Sequence, residues 1–357
     1  MNDSLIEKKL STGWKGILIL LIVLGHCSLL CKFGPGESDF YTWRSWLYSF
    51  HVWGFFVLPF FYGSRIVNMS GWGGGYLKNM RKYLVKLYVP YTWITMVCIL
   101  IALVLGKNLN LVQVIQAWIV GSQWMTSQYI GFHFLWFLPT MFGVLVMRDV
   151  YFNLGLRGRG IMVLLFLCFC IAELVGISLG CLNYLPFNLV SATKYALVGI
   201  LSRHIVEYVG AKSLKHRLAK YGVYLLFLIA TILFFMLDTT PKETSCLKFL
   251  SFFLSLSLPV TFGCFIIWYQ KLGDSRFLQL FGRYSLEIYL FHVIVYNVLL
   301  ICVQRFVSPN LFIGIVLYAL TLGISLGIAI LIERNKLIHS MLFPTGKGAI
   351  GSVIGKG

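Results

Sequence analysis

Long apolar runs separated by short basic segments fill the chain from end to end. A helix that crosses a bilayer needs about 20 mostly apolar residues. About ten runs meet that length, roughly 14–31, 45–66, 84–105, 132–152, 161–181, 187–207, 221–237, 249–270, 285–304 and 311–333. The pattern predicts an all-α, polytopic transmembrane helical bundle with one membrane domain over 1–343. A Gly-rich tail over 344–357 follows, expected to be flexible and cytoplasmic. The stretch 108–130 is apolar but broken by Gln113, Gln116, Ser122, Gln123 and Gln128, and reads as an interfacial helix plus loop. Lys8 and Lys9 precede the first run as in a signal peptide. No A-x-A site follows and further spans come at once, so a retained helix is expected. No internal repeat is evident, which weighs against an inverted-repeat transporter.

Composition narrows the class. Hydrophobic residues make up 59% and charged residues 12%, against about 25% charged in a soluble domain. This excludes an ordinary soluble enzyme, a disordered chain and a collagen-like fibre. A net charge of +18 would point to nucleic acid in a soluble protein, but here the placement of the charge matters more. Of the 30 Lys and Arg, 23 fall on alternate segments beginning with the N-terminus, 6 fall on the intervening ones, and Lys194 lies within a span. That bias predicts an even number of spans, N-in and C-in, with lipid and not nucleic acid around the chain. The 9 cysteines are scattered, without the spacing of a metal site, so no metal is expected.

Ionisable residues inside spans are costly and face the bundle interior or a cavity. Ten residues separate Lys15 from His26; the eleven steps end about 20° past three full turns, so both fall on one face of the first helix about 16 Å apart. Lys15 reads either as an interfacial lysine or as a cation facing that cavity. His26 reads either as an interhelical hydrogen-bonding group or as a base. His51 opens the second helix at matched depth, so both imidazoles could share a cavity, unless His51 serves packing alone. His133, Trp136 and Thr140 are spaced as one helical stripe, and so are Ser285, Tyr289 and His292. Glu287 falls off that stripe and is placed to pair with Arg283, while Glu173 and Lys194 are mid-span and read as mutually neutralising.

These segments resemble the integral-membrane acyltransferase-3 family, and most closely its fucose-4-O-acetylase-related sugar O-acetyltransferases. Lys15-x10-His26 stands where the family has Arg-x10-His. Ser49-Phe50-His51-Val52-Trp53-Gly54-Phe55-Phe56 resembles its FH-x-P-x-FF segment. His133-Phe134-Leu135-Trp136-Phe137-Leu138-Pro139 resembles H-L-W-F-L-P, and Ser285-Leu286-Glu287-Ile288-Tyr289-Leu290-Phe291-His292 resembles S-x-x-I-Y-L-x-H. Arg81-Lys82-Tyr83-Leu84-Val85-Lys86-Leu87-Tyr88-Val89-Pro90 resembles the basic stretch before the proline of the third helix. The five occur in family order along essentially the whole chain. Lys15 keeps the charge of the family's Arg but not its planar fork. Gly63-Ser64 stands for the family's Ser-Gly, and Trp53 for a Pro or small residue.

The resemblance implies an O-acyltransferase that moves an acyl group, usually acetyl, from cytoplasmic acyl-CoA to a hydroxyl of a saccharide or lipid-linked glycan. Its setting would be the bacterial inner membrane, alongside envelope-polysaccharide synthesis. Carried onto this chain, His26 is the base and His51 its assistant. Lys15, Arg81, Lys82 and Lys86 contact CoA phosphates, and His133, Trp136, Tyr289 and His292 line the acceptor cavity. A transporter or flippase of a glycan or small polar substrate, and an inactive scaffold in envelope synthesis, stay open on the sequence. The charge bias generates a direct test of topology. A cysteine introduced as Lys78→Cys, on a background without reactive thiols, is expected to resist an impermeant thiol reagent in intact cells. Labelling there would reverse the orientation.

Overall fold

The computed structural model describes residues 3–31, 42–48, 50–62, 74–174, 189–209, 214–238, 275–308 and 310–344. Within them every regular element is helical, as a bilayer requires of a backbone that must bond to itself. In chain order these are α1 Asp3–His26, α2 Ser28–Cys31, α3 Thr42–Tyr48, α4 Gly54–Phe61, α5 Gly74–Val104, α6 Leu111–Val120, α7 Gln123–Met125 and a π-helical turn Thr126–Ile130. There follow α8 Phe137–Asn153, α9 Leu156–Leu174, α10 Leu189–Val209, α11 Leu214–Asp238, α12 Arg276–Arg283, α13 Ser285–Gln304, α14 Leu311–Arg334 and α15 Lys336–Leu342. The predicted run 249–270, Gly63-Ser64 and the tail beyond residue 344 lie outside the described residues.

Four described helices are long and apolar enough to cross a membrane: Lys9–His26, Tyr76–Val104, Ser285–Gln304 and Leu311–Arg334. They fall on the predicted runs 14–31, 84–105, 285–304 and 311–333. Alongside an apolar core, several helices carry large apolar side chains on their outer faces. Leu100 and Leu103 of α5, Leu164 and Leu165 of α9, Leu225 and Ile232 of α11, and Ile315 of α14 face outward. Thr140, Ser202, Thr321 and Ser325 are buried. Apolar side chains outside and small polar ones between helices are the arrangement of a multi-pass membrane protein.

The chain forms two compact units, Met1–Tyr62 with Leu197–Ala329, and Gly63–Ala196 with Ile330–Gly357. The first is built around α1, whose Trp14, Leu18, Ile19, Ile22 and Val23 are at most 1% exposed. Two glycines bring α12 onto it backbone to backbone. Gly16 faces the carbonyl oxygen of Leu278, and Gly282 faces that of Thr12, so a Cβ on either would overlap the oxygen. These pairs run in opposite directions, so α12 is antiparallel to α1. The chain then turns at Tyr284 and α13 runs parallel to α1, bringing His292 beside His26 and Tyr296 beside Ser28 and Leu29. α14 returns antiparallel, with Tyr318 donating to Leu20 O at 3.2 Å and Gly314 against Leu30.

The run 45–66 is not one helix. α3 ends at Tyr48, α4 starts at Gly54, and Phe50–Trp53 form a tight turn between them. His51 therefore does not open a helix; it sits in the turn. Leu47 O accepts from Phe50 N at 3.2 Å, from His51 N at 3.1 Å and from the His51 ring at 2.6 Å. One carbonyl shared by three donors contracts the backbone locally. In the second unit, 108–130 becomes α6, α7 and the π-turn, a helix followed by a compact turn as expected in outline. Gly121 and Gly131, with φ of 61° and 85°, end α6 and the π-turn in the left-handed region that favours glycine.

The close approach of α1 and α12 generates a stability test. Gly282→Leu is expected to cost about 1–3 kcal/mol, because neither backbone can yield. Gly323→Leu on α14, where nothing lies within 4 Å of the added carbon, is the matched control and should leave thermal unfolding in detergent unchanged. Equal unfolding temperatures for the two variants would contradict the packing.

Candidate functional site

The candidate site of the first unit is a cluster of imidazole and phenol rings around the end of α1. His26 is the last residue of that helix, and its Nδ1–H donates to Ile22 O at 2.8 Å. His292 of α13 donates from Nδ1 to Tyr289 O at 2.7 Å and to Ile288 O at 3.1 Å. His51 donates from Nδ1 to Leu47 O at 2.6 Å. A carbonyl oxygen only accepts, so each Nδ1 carries the hydrogen. In the neutral ring, Nε2 then keeps the lone pair. Three rings from three segments are thus set in the same tautomer.

The rings are adjacent. Those of His26 and His292 lie 5.0 Å apart, edge to face at 75°. Tyr48 bridges the other pair, 6.0 Å from His26 and 4.5 Å from His51. Tyr289 lies 5.6 Å from His292. Gly25 permits this convergence, since a Cβ there would come within 2.9 Å of Tyr48 Cε2 and 3.4 Å of His51 Nε2. His51 and His292 are fully buried, while His26 is half-buried. Among the described residues, His51 Nε2 has no hydrogen-bond partner. A buried lone pair of that kind marks a place for a hydroxyl or a water.

Sequence reasoning missed two members of this cluster. In the sequence pattern Arg44 is only one of the 6 basic residues on the intervening segments. Its Nε donates to Gly25 O at 3.2 Å and its guanidinium lies 4.2 Å from the centroid of the Tyr48 ring. Tyr48 was not singled out at all, although Arg44 and Tyr48 at i and i+4 of α3 are spaced for this stacking. The Tyr48 hydroxyl donates to the same Gly25 O at 3.3 Å. Tyr296 of α13 accepts from Leu29 N at 3.1 Å and so ties down the chain just after His26.

Several predicted residues sit elsewhere. Lys15 is half-buried on α1, next to Gly16 where α12 crosses, and the unbroken helix keeps it about 16 Å along the axis from His26. Arg81, Lys82 and Lys86 are exposed along the first part of α5, in the second unit. The expected stripe of His133, Trp136 and Thr140 does not form. α8 begins only at Phe137, because Pro139 has no N–H for Leu135 O and the helix cannot extend back through His133. His133 is exposed and pairs through Nδ1 with Ser127 Oγ at 2.7 Å. Trp136 caps α8 and is buried, and its carbonyl accepts from Thr140 Oγ1 at 2.8 Å. The stripe of Ser285, Tyr289 and His292 does form, with all three buried on α13. Lys194 is buried with its ammonium 5.3 Å from the Tyr195 ring, whereas the side chain of Glu173 lies outside the described set.

Chemically, the cluster offers imidazole lone pairs, a phenol and a guanidinium around one helix end, a set suited to proton transfer and to holding a polar acceptor. No group of three or more His, Cys, Asp or Glu fit to hold a metal occurs among the described residues. No curated protein and no solved structure matches the chain. The Acyltransferase domain family (Acyl_transf_3) matches over residues 11–334, a span that takes in Lys15 and His26, the α3–α4 turn with His51, and His292. A membrane-embedded helical chain matched by that family over nearly all its length belongs to it: this protein is a member of the acyltransferase-3 family, a multi-pass membrane acyltransferase.

Proposed function

We propose that this protein transfers an acetyl or other acyl group from cytoplasmic acyl-CoA to a hydroxyl of a saccharide or lipid-linked glycan, in a bacterial inner membrane. The supporting observation is the state of His26: its Nδ1 is committed to Ile22 O, its ring abuts His292, and it is only half-buried. A base for this reaction must present a lone pair in a fixed direction to a hydroxyl that can reach it.

In the proposed reaction, His26 Nε2 takes the proton of the acceptor hydroxyl as its oxygen attacks the thioester carbonyl. The tetrahedral adduct forms a C–O bond, then collapses by breaking the C–S bond. The CoA sulfur leaves and takes back the proton from His26 as a thiol, so the base is restored. The carbonyl of Ile22 stabilises the imidazolium in between, because Nδ1–H already points at it. His51 Nε2 holds or relays the acceptor proton, and Tyr289 and His292 line the acceptor's place. For the donor phosphates this reading names cations in each unit taken by itself, Lys15 on α1 of the first and Arg81, Lys82 and Lys86 on α5 of the second, and it keeps His133 and Trp136 as acceptor residues of the second. The acceptor belongs to the chemistry of envelope polysaccharides, so the synthesis machinery for that polymer is the partner this reading names.

The test is His26→Gln, which keeps side-chain size and a hydrogen-bonding amide. The variant is expected to insert and fold, to bind CoA as the wild type does, and to lose at least about 10²-fold in transfer of labelled acetyl to glycan. Near-normal turnover by a correctly folded variant would remove His26 from the base role.

A further inference from the structure

Two adjacent charged residues near the C-terminal end of α8 are buried, Arg148 at 5% and Asp149 at 1% exposure. Neither belongs to a motif read from the sequence, where Arg148 counts only among the basic residues that set sidedness. They form a closed triangle with Tyr83 of α5. Arg148 Nε donates to Asp149 Oδ1 at 2.8 Å, and Arg148 Nη2 donates to the Tyr83 hydroxyl oxygen at 2.6 Å. The Tyr83 O–H in turn donates to Asp149 Oδ2 at 2.9 Å. The guanidinium carbon also lies 5.5 Å from the centroid of the Tyr83 ring. Further along, Tyr88 of α5 packs edge-on against Phe142 of α8 at 5.4 Å. The pairs 83 with 149 and 88 with 142 run in opposite directions, so the helices are antiparallel and the triangle closes the N-terminal part of α5.

Energetics argue against a purely stabilising role. Taking an ion pair out of water costs several kcal/mol per ion, and apolar side chains of similar volume are often as stable or more so. The pair does, however, restrict geometry. The Tyr83 hydroxyl is acceptor to one charge and donor to the other, so turning α5 by one residue, about 100°, breaks both bonds. Arg81 and Lys82 immediately precede Tyr83, and Lys86 follows one turn later, all three exposed. Cations on a helix free to rotate present no fixed set of donors to a phosphate group. Cations on a helix locked next to them do.

We infer that the Tyr83–Arg148–Asp149 triangle positions the donor site, fixing the rotation and depth of α5 so that Arg81, Lys82 and Lys86 meet the phosphates of acyl-CoA as one rigid set. The inference rests on the acyl-CoA reading above. Tyr83, Arg148 and Asp149 are positioning residues and need not touch the donor. Their effect falls on donor affinity and leaves the chemical step alone.

The experiment compares the detergent-solubilised full chain with Tyr83→Phe and with the paired substitution Arg148→Met, Asp149→Leu. Tyr83→Phe keeps the ring over the guanidinium and removes both hydroxyl bonds. The paired substitution removes both charges together, so no single charge is left buried. Each is expected to weaken CoA binding about tenfold, the scale of one or two lost charge-assisted hydrogen bonds. The rate of acyl transfer at saturating donor should stay within about twofold of wild type, the effect appearing as a raised donor KM. Wild-type CoA affinity in either variant overturns the inference, whatever happens to the unfolding temperature, and so does a loss confined to kcat. A wild-type protein that does not bind CoA overturns the donor reading and this inference with it. Binding by the wild type with equal binding by a variant overturns this inference alone.

Discussion

The candidate site depends on one repeated interaction, the hydrogen bond from an imidazole Nδ1 to a backbone carbonyl three or four residues earlier. His26, His51 and His292 all make it, at 2.6 to 3.1 Å. In water such a bond has little net worth, because either group could bond to solvent. In a buried cluster it removes a polar donor at no cost in packing and leaves the opposite nitrogen as the reactive atom. It also accompanies the local change of backbone, since the Leu47 carbonyl that takes the His51 ring lies one residue before α3 ends at Tyr48.

Convergence of the rings needs helices closer than ordinary side chains allow. Gly16 and Gly282 let α12 touch α1, after which the turn at Tyr284 sends α13 up alongside α1 so that His292 reaches His26. Gly25 does the same at the other end, admitting Tyr48 and His51 to the backbone beside His26. In lipid there is no hydrophobic gain from bringing two apolar helices together, so close packing at small residues and polar contacts between helices do that work. The glycines and the histidines therefore belong to one design.

In the second unit the same logic produces a different outcome. The Tyr83–Arg148–Asp149 triangle links α5 to α8 through charge and not through small residues, and it lies on the helix that carries the exposed cations Arg81, Lys82 and Lys86. A close ring cluster around a candidate base and a charged lock beside a cationic edge are two ways of holding polar groups still where water is scarce.

Much of this was legible in the sequence. Apolar runs of span length predict helices because the bilayer accepts little else, and four of those runs coincide with described helices of that kind, the first of them ending at His26. The helical spacing of Ser285, Tyr289 and His292 places them on one buried stripe because α13 is regular throughout. Spacing failed where the backbone is irregular: His133 falls off its stripe because Pro139 sets the start of α8, and His51 sits in a turn because Leu47 O is shared. Arg44, Tyr48, Arg148 and Asp149 were hidden for another reason. A charge count along the chain treats every Arg as a marker of sidedness, and only its neighbours in space reveal which one is buried against a ring or a carboxylate. Local periodicity and length determined the helices; which polar residues share a site was decided by tertiary packing, because contact across helices depends on where a glycine or a shared carbonyl lets two backbones meet.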